Sequence, residues 1–213
     1  MITIIQNAQT AEQHRLLEKA YRLRHAIFVD ELGWENVVGR DGLEIDQFDT
    51  PSAVHVLAMS GDDLLGYIRM LPTTEPHLLS DVFRDLCEDI LPRGPHIWEA
   101  TRYCTAKEFR ESQSTELTVR RELLYATVKW ALENNVSQFL FEFDPYRMLR
   151  LIQYHFRITT LGLPRKVHGE DVVAALGLLD ERTLSRLAYL RENPGVAMSG
   201  NNSQMNRNYT RMA

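Results

Sequence analysis

One short stretch of the chain places a carboxylate and a guanidinium three residues apart within a run of strand-forming residues. Glu99 and Arg102 lie in His96-Ile97-Trp98-Glu99-Ala100-Thr101-Arg102-Tyr103-Cys104, after the turn-forming residues 92–95. Side chains alternate between the faces of a regular strand, so residues three apart point to opposite sides. A β-bulge at Ala100 or Thr101 would put both charges on one face and leave a backbone N–H outside the ladder.

This combination has two interpretations. A carboxylate base, a cation and an N–H that can bind an oxyanion are the parts of an acyl-transfer site. The same two charges could instead form an ordinary buried ion pair. The stretch by itself leaves both interpretations open.

A second group of candidate residues lies upstream. Arg24 and Phe28 are four residues apart on a predicted helix and therefore share a face. Trp34 follows in the segment 29–50, where the periodicity weakens and three glycines interrupt the pattern. Such a segment is typical of a long ordered loop that could close over a ligand.

The same loop carries two acids that require an explanation. Asp46 and Asp49 could form a simple turn, or they could be a carboxylate pair held by a nearby cation. Two carboxylates kept close raise each other's pKa unless a positive charge compensates. Arg69, in a later predicted strand, is the candidate counter-charge, although a long arginine side chain can also reach solvent from a strand.

The hydrophobic periodicity predicts an α/β fold, a three-layer α/β/α sandwich with a mixed sheet. Strands are predicted at 2–5, 53–60, 64–71, 96–104, 137–143, 158–163 and 167–179, and helices at 10–28, 78–86, 115–134, 146–156 and 184–190. We expect one domain over residues 1–193 and a disordered polar tail over 194–213. No glycine-rich dinucleotide fingerprint, P-loop or metal-binding spacing is present, so no metal is expected.

Composition narrows the class of protein. Hydrophobic residues make up 44% and charged residues 25% of the 213, which are ordinary values for a globular chain. No apolar run approaches the length of a membrane span, and the first residues lack the features of a signal peptide. Cys87 and Cys104 form neither a disulfide framework nor a metal motif, which suits a reducing compartment. We therefore expect a cytoplasmic protein.

The net charge of −5 conceals an asymmetry along the chain. Residues 1–100 hold 8 lysines and arginines against 17 acids, a net charge of −9, whereas 101–213 hold 16 against 12, a net charge of +4. An acidic half suits a cationic ligand, and a basic half suits phosphates or an acidic protein. The alternative is that both halves simply present solvated faces.

The candidate residues, taken together, closely resemble the pattern of the LuxI-type acyl-homoserine-lactone synthases. The shared positions are Arg24, Phe28, Trp34, Asp46, Asp49, Arg69, Glu99 and Arg102. The surrounding words are similar too, among them Leu32-Gly33-Trp34, Glu44-Ile45-Asp46-Gln47-Phe48-Asp49, Gly66-Tyr67-Ile68-Arg69 and Ile97-Trp98-Glu99. The second half of the chain resembles the family mainly in its layout.

This resemblance implies a GNAT-like acyltransferase fold with a bulged central strand. It implies S-adenosylmethionine and an acyl thioester, on acyl-carrier protein or coenzyme A, as substrates, with no cofactor. The products would be an acyl-homoserine lactone, 5′-methylthioadenosine and the thiol carrier. Neither nucleic acid nor a membrane is expected as a partner.

The resemblance also assigns roles. Glu99 would be the base, acting directly or through water, and Arg102 would orient the substrate or the carboxylate. On the S-adenosylmethionine side it implies Arg24, Phe28, Trp34, Arg69 and Tyr103. Asp46 and Asp49 would belong to a supporting ion network. Phe28 or Trp34 could offer an aromatic face to the cationic substrate.

One departure from the family pattern bears on the acyl chain, and one cysteine bears on the mechanism. Many members that take 3-oxoacyl chains have a threonine on the strand 138–143, where this chain has Phe139, Phe141, Glu142 and Phe143. A 3-oxo preference is therefore not expected, and Phe141 and Phe143 are predicted to shorten an acyl pocket. Cys104 could suggest a covalent acyl-enzyme, but no histidine-centred relay accompanies it.

Two other functions remain open at this point. A GNAT-like N-acyltransferase acting on another amine would share the acyl transfer but would release no methylthioadenosine. A non-catalytic sensor of S-adenosylmethionine or an acyl ligand would not need a base at Glu99. The presence of both Glu99 and Arg102 favours an enzyme.

Overall fold

A computed structural model of the protein describes residues 1–34, 39–109 and 113–196. The chain forms two compact units, each built from separate segments. Unit 1 comprises Met1–Arg69, Arg102–Leu123 and Asn193–Ala213, and unit 2 comprises Met70–Thr101 and Leu124–Glu192. The single domain over 1–193 stays a prediction, and most of the predicted disordered tail, residues 197–213, lies outside the described ranges.

The strands and helices follow the predicted order. The strands are β1 (Ile2–Gln6), β2 (Gly39–Arg40), β3 (Leu43–Glu44), β4 (Val54–Ser60), β5 (Asp63–Pro72), β6 (Ile97–Thr105), β7 (Gln138–Phe143), β8 (Arg157–Thr160), β9 (Arg165–Val167) and β10 (Glu170–Leu178). The α-helices are α1 (Ala11–Arg24), α2 (Leu78–Asp81), α3 (Gln113–Glu133), α4 (Pro145–Gln153) and α5 (Glu181–Glu192).

Local sequence signals account for several helix ends. The Thr10 hydroxyl accepts from the backbone N–H of Gln13, and the Gln13 side chain accepts from the backbone N–H of Thr10, so α1 begins with a capping box. At the start of α4 the Asp144 carboxylate accepts from the backbone N–H of Tyr146, with Pro145 in the first turn. After α3, Asn135 takes a left-handed φ of 58° and ends the helix.

Two predicted helices are shorter than expected. The prediction of one helix over 10–28 is only partly right, because the α-helix stops at Arg24 and continues as a wider π-helix over His25–Glu31. The predicted helix over 78–86 is a single α-helical turn, α2, followed by a 3₁₀ turn at Arg84–Leu86. Apolar spacing does not distinguish these tighter or wider turns from an α-helix.

Strand pairing is mixed, as predicted, and the α/β fold class is confirmed. In unit 1, β1 pairs with β4 in antiparallel fashion, from Ile2↔Ala58 to Gln6↔Val54. In unit 2, β6 runs parallel to β7, and β10 pairs antiparallel with β7, β8 and β9. The parallel register of β6 and β7 extends from Ile97↔Gln138 to Glu99↔Leu140, while β7 continues to Phe143 against β10.

Each unit has its own apolar core. In unit 1 the inner faces of α1, β1, β4 and β5 contribute Leu17, Ala20, Ile5, Leu57 and Tyr67. In unit 2 the turn α2 and the strands β7 and β10 contribute Leu79, Leu140 and Ala174, with Leu86 from the 3₁₀ turn. These cores fix the strands that carry the charged candidates described next.

Candidate active site

Three arginines and three acids of unit 1 form one buried cluster, which we call the ion cluster. Its members are Arg24, Arg69, Arg102, Glu44, Asp46 and Asp49. The formal charges cancel, so the group can be buried without leaving a net charge in the protein interior. The sequence analysis had placed five of these six residues in the candidate site.

Arg24, the last residue of α1, binds two acids of the cluster, Glu44 and Asp49. Its Nε donates to a carboxylate oxygen of Glu44, and its Nη1 and Nη2 donate to Asp49 at 2.7 and 2.9 Å. The guanidinium is fully buried. A planar guanidinium that engages one carboxylate with two parallel bonds holds it in a fixed orientation. Arg24 therefore ties the end of α1 to the loop that carries the acids.

Arg69 on β5 is the counter-charge of the two aspartates. Its Nη1 donates to Asp46 at 2.6 Å and to Asp49 at 2.8 Å, and its Nη2 donates to Asp46 at 2.9 Å. The loop reinforces this arrangement, because the backbone N–H of Asp46 donates to Asp49 at 2.9 Å. The turn that we considered as an alternative is thus present together with the ion pairs.

Arg102 on β6 closes the cluster from another strand. Its Nη2 donates to Glu44 at 3.0 Å and to Asp46 at 2.8 Å. Arg102 has a φ of 57°, a left-handed value that costs energy for a residue with a Cβ. A left-handed residue within a strand is typical of a bulge, and this one follows directly after the positions Ala100 and Thr101 where the bulge was predicted.

The guanidinium of Arg102 also lies over two aromatic rings. Its central carbon is 5.4 Å from the ring centre of Phe28 and 5.7 Å from that of Trp34. The two rings are stacked, with their centres 4.8 Å apart, because the π-helix ends with the Trp34 N–H donating to the Phe28 carbonyl. The cation on these rings in the structure is therefore Arg102, whereas the sequence suggested the substrate in this place.

The arginines keep the acids ionised. Burial raises the pKa of Glu44, but hydrogen bonds and charges from Arg24 and Arg102 outweigh it and leave that pKa below the usual value. Burial likewise raises the pKa of Asp49, and Arg69 and Arg24 reverse the effect and hold it well below its ordinary range. At neutral pH the cluster thus consists of three carboxylates and three guanidinium groups.

Glu44 is the cluster member that the sequence analysis missed. It stands two residues before Asp46 and is fully buried between Arg24 and Arg102. A charge count did not point to it, because the three candidate arginines were already matched by Asp46, Asp49 and Glu99.

Tyr103 contacts the helix α3 through Arg120. Its hydroxyl donates to the backbone carbonyl of Arg120 at 3.0 Å, and the Arg120 guanidinium carbon lies 5.6 Å from the centre of its ring. These contacts fix the ring in unit 1. A role for Tyr103 in binding substrate stays a prediction.

In unit 2, Glu99 on β6 is completely buried, and its carboxylate is hydrogen-bonded to the backbone of the turn α2. One carboxylate oxygen accepts from the backbone N–H of Leu78 at 2.7 Å, and the other accepts from that of Leu79 at 2.6 Å. The first N–H groups of a helical turn lack partners within it and point outwards with partial positive charge. Glu99 therefore has a fixed orientation and still has lone pairs for a further donor.

The environment of Glu99 strengthens it as a base. Burial raises its pKa above 4.5, against the opposing effects of the Leu79 N–H, the His77 side chain and the Leu78 N–H. A side-chain hydrogen bond with Glu142 adds to the opposing effects. A carboxylate with a raised pKa accepts a proton more readily than an exposed glutamate does.

The register between β6 and β7 determines which β7 side chains lie on the same face of the sheet as Glu99. Glu99 pairs with Leu140, so the alternation along β7 puts Leu140 and Glu142 on the face of the sheet that carries Glu99. Phe141 and Phe143 point to the opposite face, where Phe141 packs 5.7 Å from Phe143 and 5.9 Å from Phe156, measured between ring centres. The structure does not bring the two predicted pocket residues onto the face of Glu99, and their role stays a prediction.

The part of the chain that the structure describes contains neither a metal site nor a membrane-spanning helix. Within the described ranges, no group of three or more histidine, cysteine, aspartate or glutamate side chains is placed to hold a metal ion. No helix in the same ranges has the length and apolar character needed to cross a bilayer. The candidate active site therefore consists of the ion cluster and of Glu99 with the groups that bind its carboxylate.

Comparison with known proteins places these features in context. A family model described as autoinducer synthase matches residues 8–187. The isovaleryl-homoserine lactone synthase of Bradyrhizobium diazoefficiens is 32% identical over 173 residues, which cover 81% of this chain and 77% of that protein. The acyl-homoserine-lactone synthase of Pseudomonas aeruginosa is 30% identical over 207 residues, covering 93% of this chain and 98% of that protein.

Solved structures agree with the sequence matches. A CoA-dependent acyl-homoserine lactone synthase solved with SAM and isopentyl-CoA is similar with a TM-score of 0.81 and 31% identity, covering 93% of this chain and 90% of that one. A putative N-acetyltransferase from Lactobacillus plantarum is similar in fold alone, with a TM-score of 0.53 and 22% identity, covering 84% of this chain and 99% of that one. The GNAT-like character of the fold is thereby confirmed.

Proposed function

The chain belongs to the autoinducer synthase family, and from this premise we propose how its own residues carry out the reaction. The protein is an acyl-homoserine-lactone synthase. It acylates the amine of S-adenosylmethionine from an acyl thioester and closes the lactone with release of 5′-methylthioadenosine, which makes a quorum-sensing signal. The observation in this chain that carries the assignment of roles is the buried Glu99 carboxylate with its raised pKa.

We infer that Glu99 is the base of the acyl transfer. The amine of S-adenosylmethionine is protonated near neutral pH, and only its deprotonated form has a lone pair for attack on the thioester carbon. Glu99 takes this proton, directly or through a water molecule. Because two backbone N–H groups fix both carboxylate oxygens, the base does not need to reorient before the reaction.

The attack creates a negatively charged oxygen that requires hydrogen-bond donors. We propose that a backbone N–H of β6 within residues 100–103 supplies one of them. The backbone of β6 turns left-handed at Arg102, which supports a distortion of the strand in this stretch. Collapse of this intermediate breaks the carbon–sulfur bond and leaves the amide, and the second proton of the attacking nitrogen passes to the departing thiolate, so the carrier leaves as its thiol.

Lactone closure follows without a further catalyst. The methionine carboxylate attacks the carbon beside the sulfonium, the carbon–sulfur bond breaks, and 5′-methylthioadenosine leaves with the bonding electrons. A sulfonium is a good leaving group, so correct positioning suffices. We propose that no cofactor takes part, because the thioester and the sulfonium already supply both leaving groups.

The ion cluster is assigned to positioning. Arg24 and Arg69 direct their guanidinium groups to carboxylates of the protein, so we infer that they hold the loop 43–49 in place and do not bind substrate themselves. Asp46 is the most exposed acid of the cluster, at 16% of its side chain, compared with 1% for Asp49 and 0% for Glu44. We propose that S-adenosylmethionine contacts the ion cluster through the side chains of Asp46 and Arg102.

We propose acyl-coenzyme A as the donor and the cytoplasm as the location. The solved relative with 31% identity is a CoA-dependent enzyme, and its structure contains isopentyl-CoA. The net charge of +4 on residues 101–213 suits the phosphates of coenzyme A, although it would also suit an acidic carrier protein. The rate of turnover with each carrier distinguishes coenzyme A from acyl-carrier protein.

The test is mass spectrometry of the purified protein incubated with S-adenosylmethionine and matched acyl thioesters. Each acyl group is offered both on coenzyme A and on acyl-carrier protein. A lactone formed in equal amount with 5′-methylthioadenosine supports the reaction, and the faster carrier identifies the donor. An acylated amine without 5′-methylthioadenosine indicates a general N-acyltransferase, and faster turnover on the carrier protein contradicts the assignment of coenzyme A.

A further inference from the structure

Two buried polar side chains of unit 1, His55 on β4 and Tyr67 on β5, have no role in the mechanism above. Nδ1 of His55 lies 2.6 Å from the hydroxyl oxygen of Tyr67. Burial of a hydroxyl group and a ring nitrogen costs free energy, which their mutual hydrogen bond offsets. A leucine and a phenylalanine would fill a similar space without that cost, so packing alone does not explain the pair.

Tyr67 faces the ion cluster. It stands two residues before Arg69 on β5, so both side chains point to the same face of the strand. The guanidinium carbon of Arg24 lies 5.8 Å from the centre of the Tyr67 ring and 5.2 Å from that of the Tyr21 ring. A cation over an aromatic ring at this distance is attracted by the negative face of the ring. The two rings therefore act on the same guanidinium that binds two acids of the ion cluster.

The hydrogen bond to His55 determines where the Tyr67 ring lies. The hydroxyl group is at the end of the ring farthest from the backbone, so this bond anchors the ring at its free end. Both partners are uncharged at neutral pH, because burial lowers the pKa of His55 to about 4 and raises the pKa of Tyr67. The pair thus adds no charge to the ion cluster, and it acts on Arg24 through the position of the ring.

Arg24 links the ring to the acid at which we place the substrate. It donates to Asp49 at 2.7 and 2.9 Å. Asp49 in turn accepts from the backbone N–H of Asp46 at 2.9 Å, and both aspartates bind the guanidinium of Arg69. A displacement of Arg24 therefore moves Asp49 and, with it, Asp46.

We propose that the His55–Tyr67 pair positions the ion cluster for the binding of S-adenosylmethionine and that it acts through Arg24. The inference rests on the proposed function, because it takes Asp46 as a contact between the substrate and the cluster. Both members of the pair are buried, so they act on the substrate only through other residues. The pair should therefore change the affinity for S-adenosylmethionine and leave the rate of acyl transfer at Glu99 nearly unchanged.

Tyr67→Phe removes the hydroxyl group and keeps the ring. We expect the KM for S-adenosylmethionine to rise about three- to tenfold, the equivalent of one net hydrogen bond, with kcat changed less than about twofold. The Kd for S-adenosylmethionine, measured by calorimetry without a thioester, should rise by the same factor. The matched control is Tyr189→Phe, because Tyr189 also has an arginine carbon 5.6 Å from its ring but is exposed and lies in unit 2. Its KM and Kd should not change.

A double variant separates positioning from stability. In Tyr67→Phe, Nδ1 of His55 loses the hydroxyl group that it binds, and this loss by itself destabilises the protein. Tyr67→Phe combined with His55→Leu removes both polar groups and should restore much of the stability in urea denaturation. If the pair positions the cluster, KM and Kd remain raised in the double variant. Normal values in the folded double variant overturn the inference and leave the proposed function intact.

A measurement on the unaltered protein covers the case in which the variants do not fold. Coupling between two sites is reciprocal, so S-adenosylmethionine bound at the ion cluster must perturb the pair. In nuclear magnetic resonance of protein labelled with ¹⁵N-histidine, added S-adenosylmethionine should shift the ring signals of His55. The signals of His96, which is exposed and lies 2.7 Å from the Asn135 carbonyl, should stay in place.

The outcomes of this titration distinguish the inference from the proposed function. His55 signals that do not move while S-adenosylmethionine saturates the protein overturn the inference alone. A protein that does not bind S-adenosylmethionine at any concentration overturns the proposed function and the inference with it.

Discussion

Arg24 donates two nearly parallel hydrogen bonds to Asp49, at 2.7 and 2.9 Å, and neither side chain has more than 1% of its surface exposed. We expect Asp49→Asn to destabilise the protein by about 3–5 kcal/mol, because it leaves the buried ion cluster with one uncompensated positive charge. The measurement is urea denaturation at neutral pH. The matched control is Glu18→Gln, which breaks an exposed pair with Arg22 and is expected to change stability far less.

The ion cluster should make the protein sensitive to acid. Glu44, Asp46 and Asp49 have folded-state pKa values below the ordinary 4.5 and 3.8. Groups with depressed pKa values contribute their full stability above the unfolded value, and that stability is lost as the pH falls through the folded value. The free energy of unfolding should therefore fall below about pH 4.5, and less steeply in Asp49→Asn. Equal slopes in both proteins would argue against the cluster as the cause.

A buried histidine should add a separate pH dependence at higher pH. His55 donates to or accepts from the Tyr67 hydroxyl at 2.6 Å, and burial lowers its pKa from 6.5 to about 4. The unfolded chain binds a proton below pH 6.5 while the folded protein does not, so stability falls between pH 6.5 and 4 by up to about 1.4 kcal/mol per pH unit. In His55→Asn this slope should disappear, whereas the acid loss below it should remain.

Glu99 should set the acidic limb of the pH–rate profile. The base must be ionised to act, so activity should rise with pH through its pKa, which burial places above 4.5. Glu99→Gln should lower kcat at least about 100-fold while S-adenosylmethionine still binds. The control is Glu133→Gln, which removes an exposed acid paired with Lys129. Normal turnover of Glu99→Gln would be incompatible with its role as base.

Close packing at one glycine supplies a prediction about the backbone. A Cβ at Gly66 would lie 2.9 Å from the carbonyl oxygen of Cys104 and 3.0 Å from side-chain atoms of Leu123 and Val119. We expect Gly66→Ala to cost about 1–3 kcal/mol in thermal or urea unfolding, since the backbone must move to make room. Gly94→Ala is the control, because no atom lies within 4 Å of its added Cβ.

The elements that the sequence predicted well are those governed by local periodicity. Alternation and turn residues placed β4 and β5 within one residue at most of their ends, and helical spacing found α3 within two residues at each end. The ion pairs between Arg69 and the two aspartates were also predictable, because buried acids need a counter-charge.

What the sequence did not predict depends on contacts between distant segments. The π-helix after Arg24 accompanies the stacking of Phe28 on Trp34, and apolar spacing encodes neither of them. The placement of Phe141 away from Glu99 depends on the register between β6 and β7, and a shift of one residue would reverse it.

The ion cluster also bears on how long a folded molecule lasts. Its members lie far apart along the chain, since the residue numbers of Arg24 and Asp49 differ by 25 and those of Glu44 and Arg102 differ by 58. Closure of loops this long costs entropy, and the cluster needs all of its segments in place at once, so we expect its hydrogen bonds to form after the rate-limiting step of folding. Interactions absent from the transition state act on the rate of unfolding. The cluster that positions the candidate site should thus also determine the lifetime of the folded enzyme.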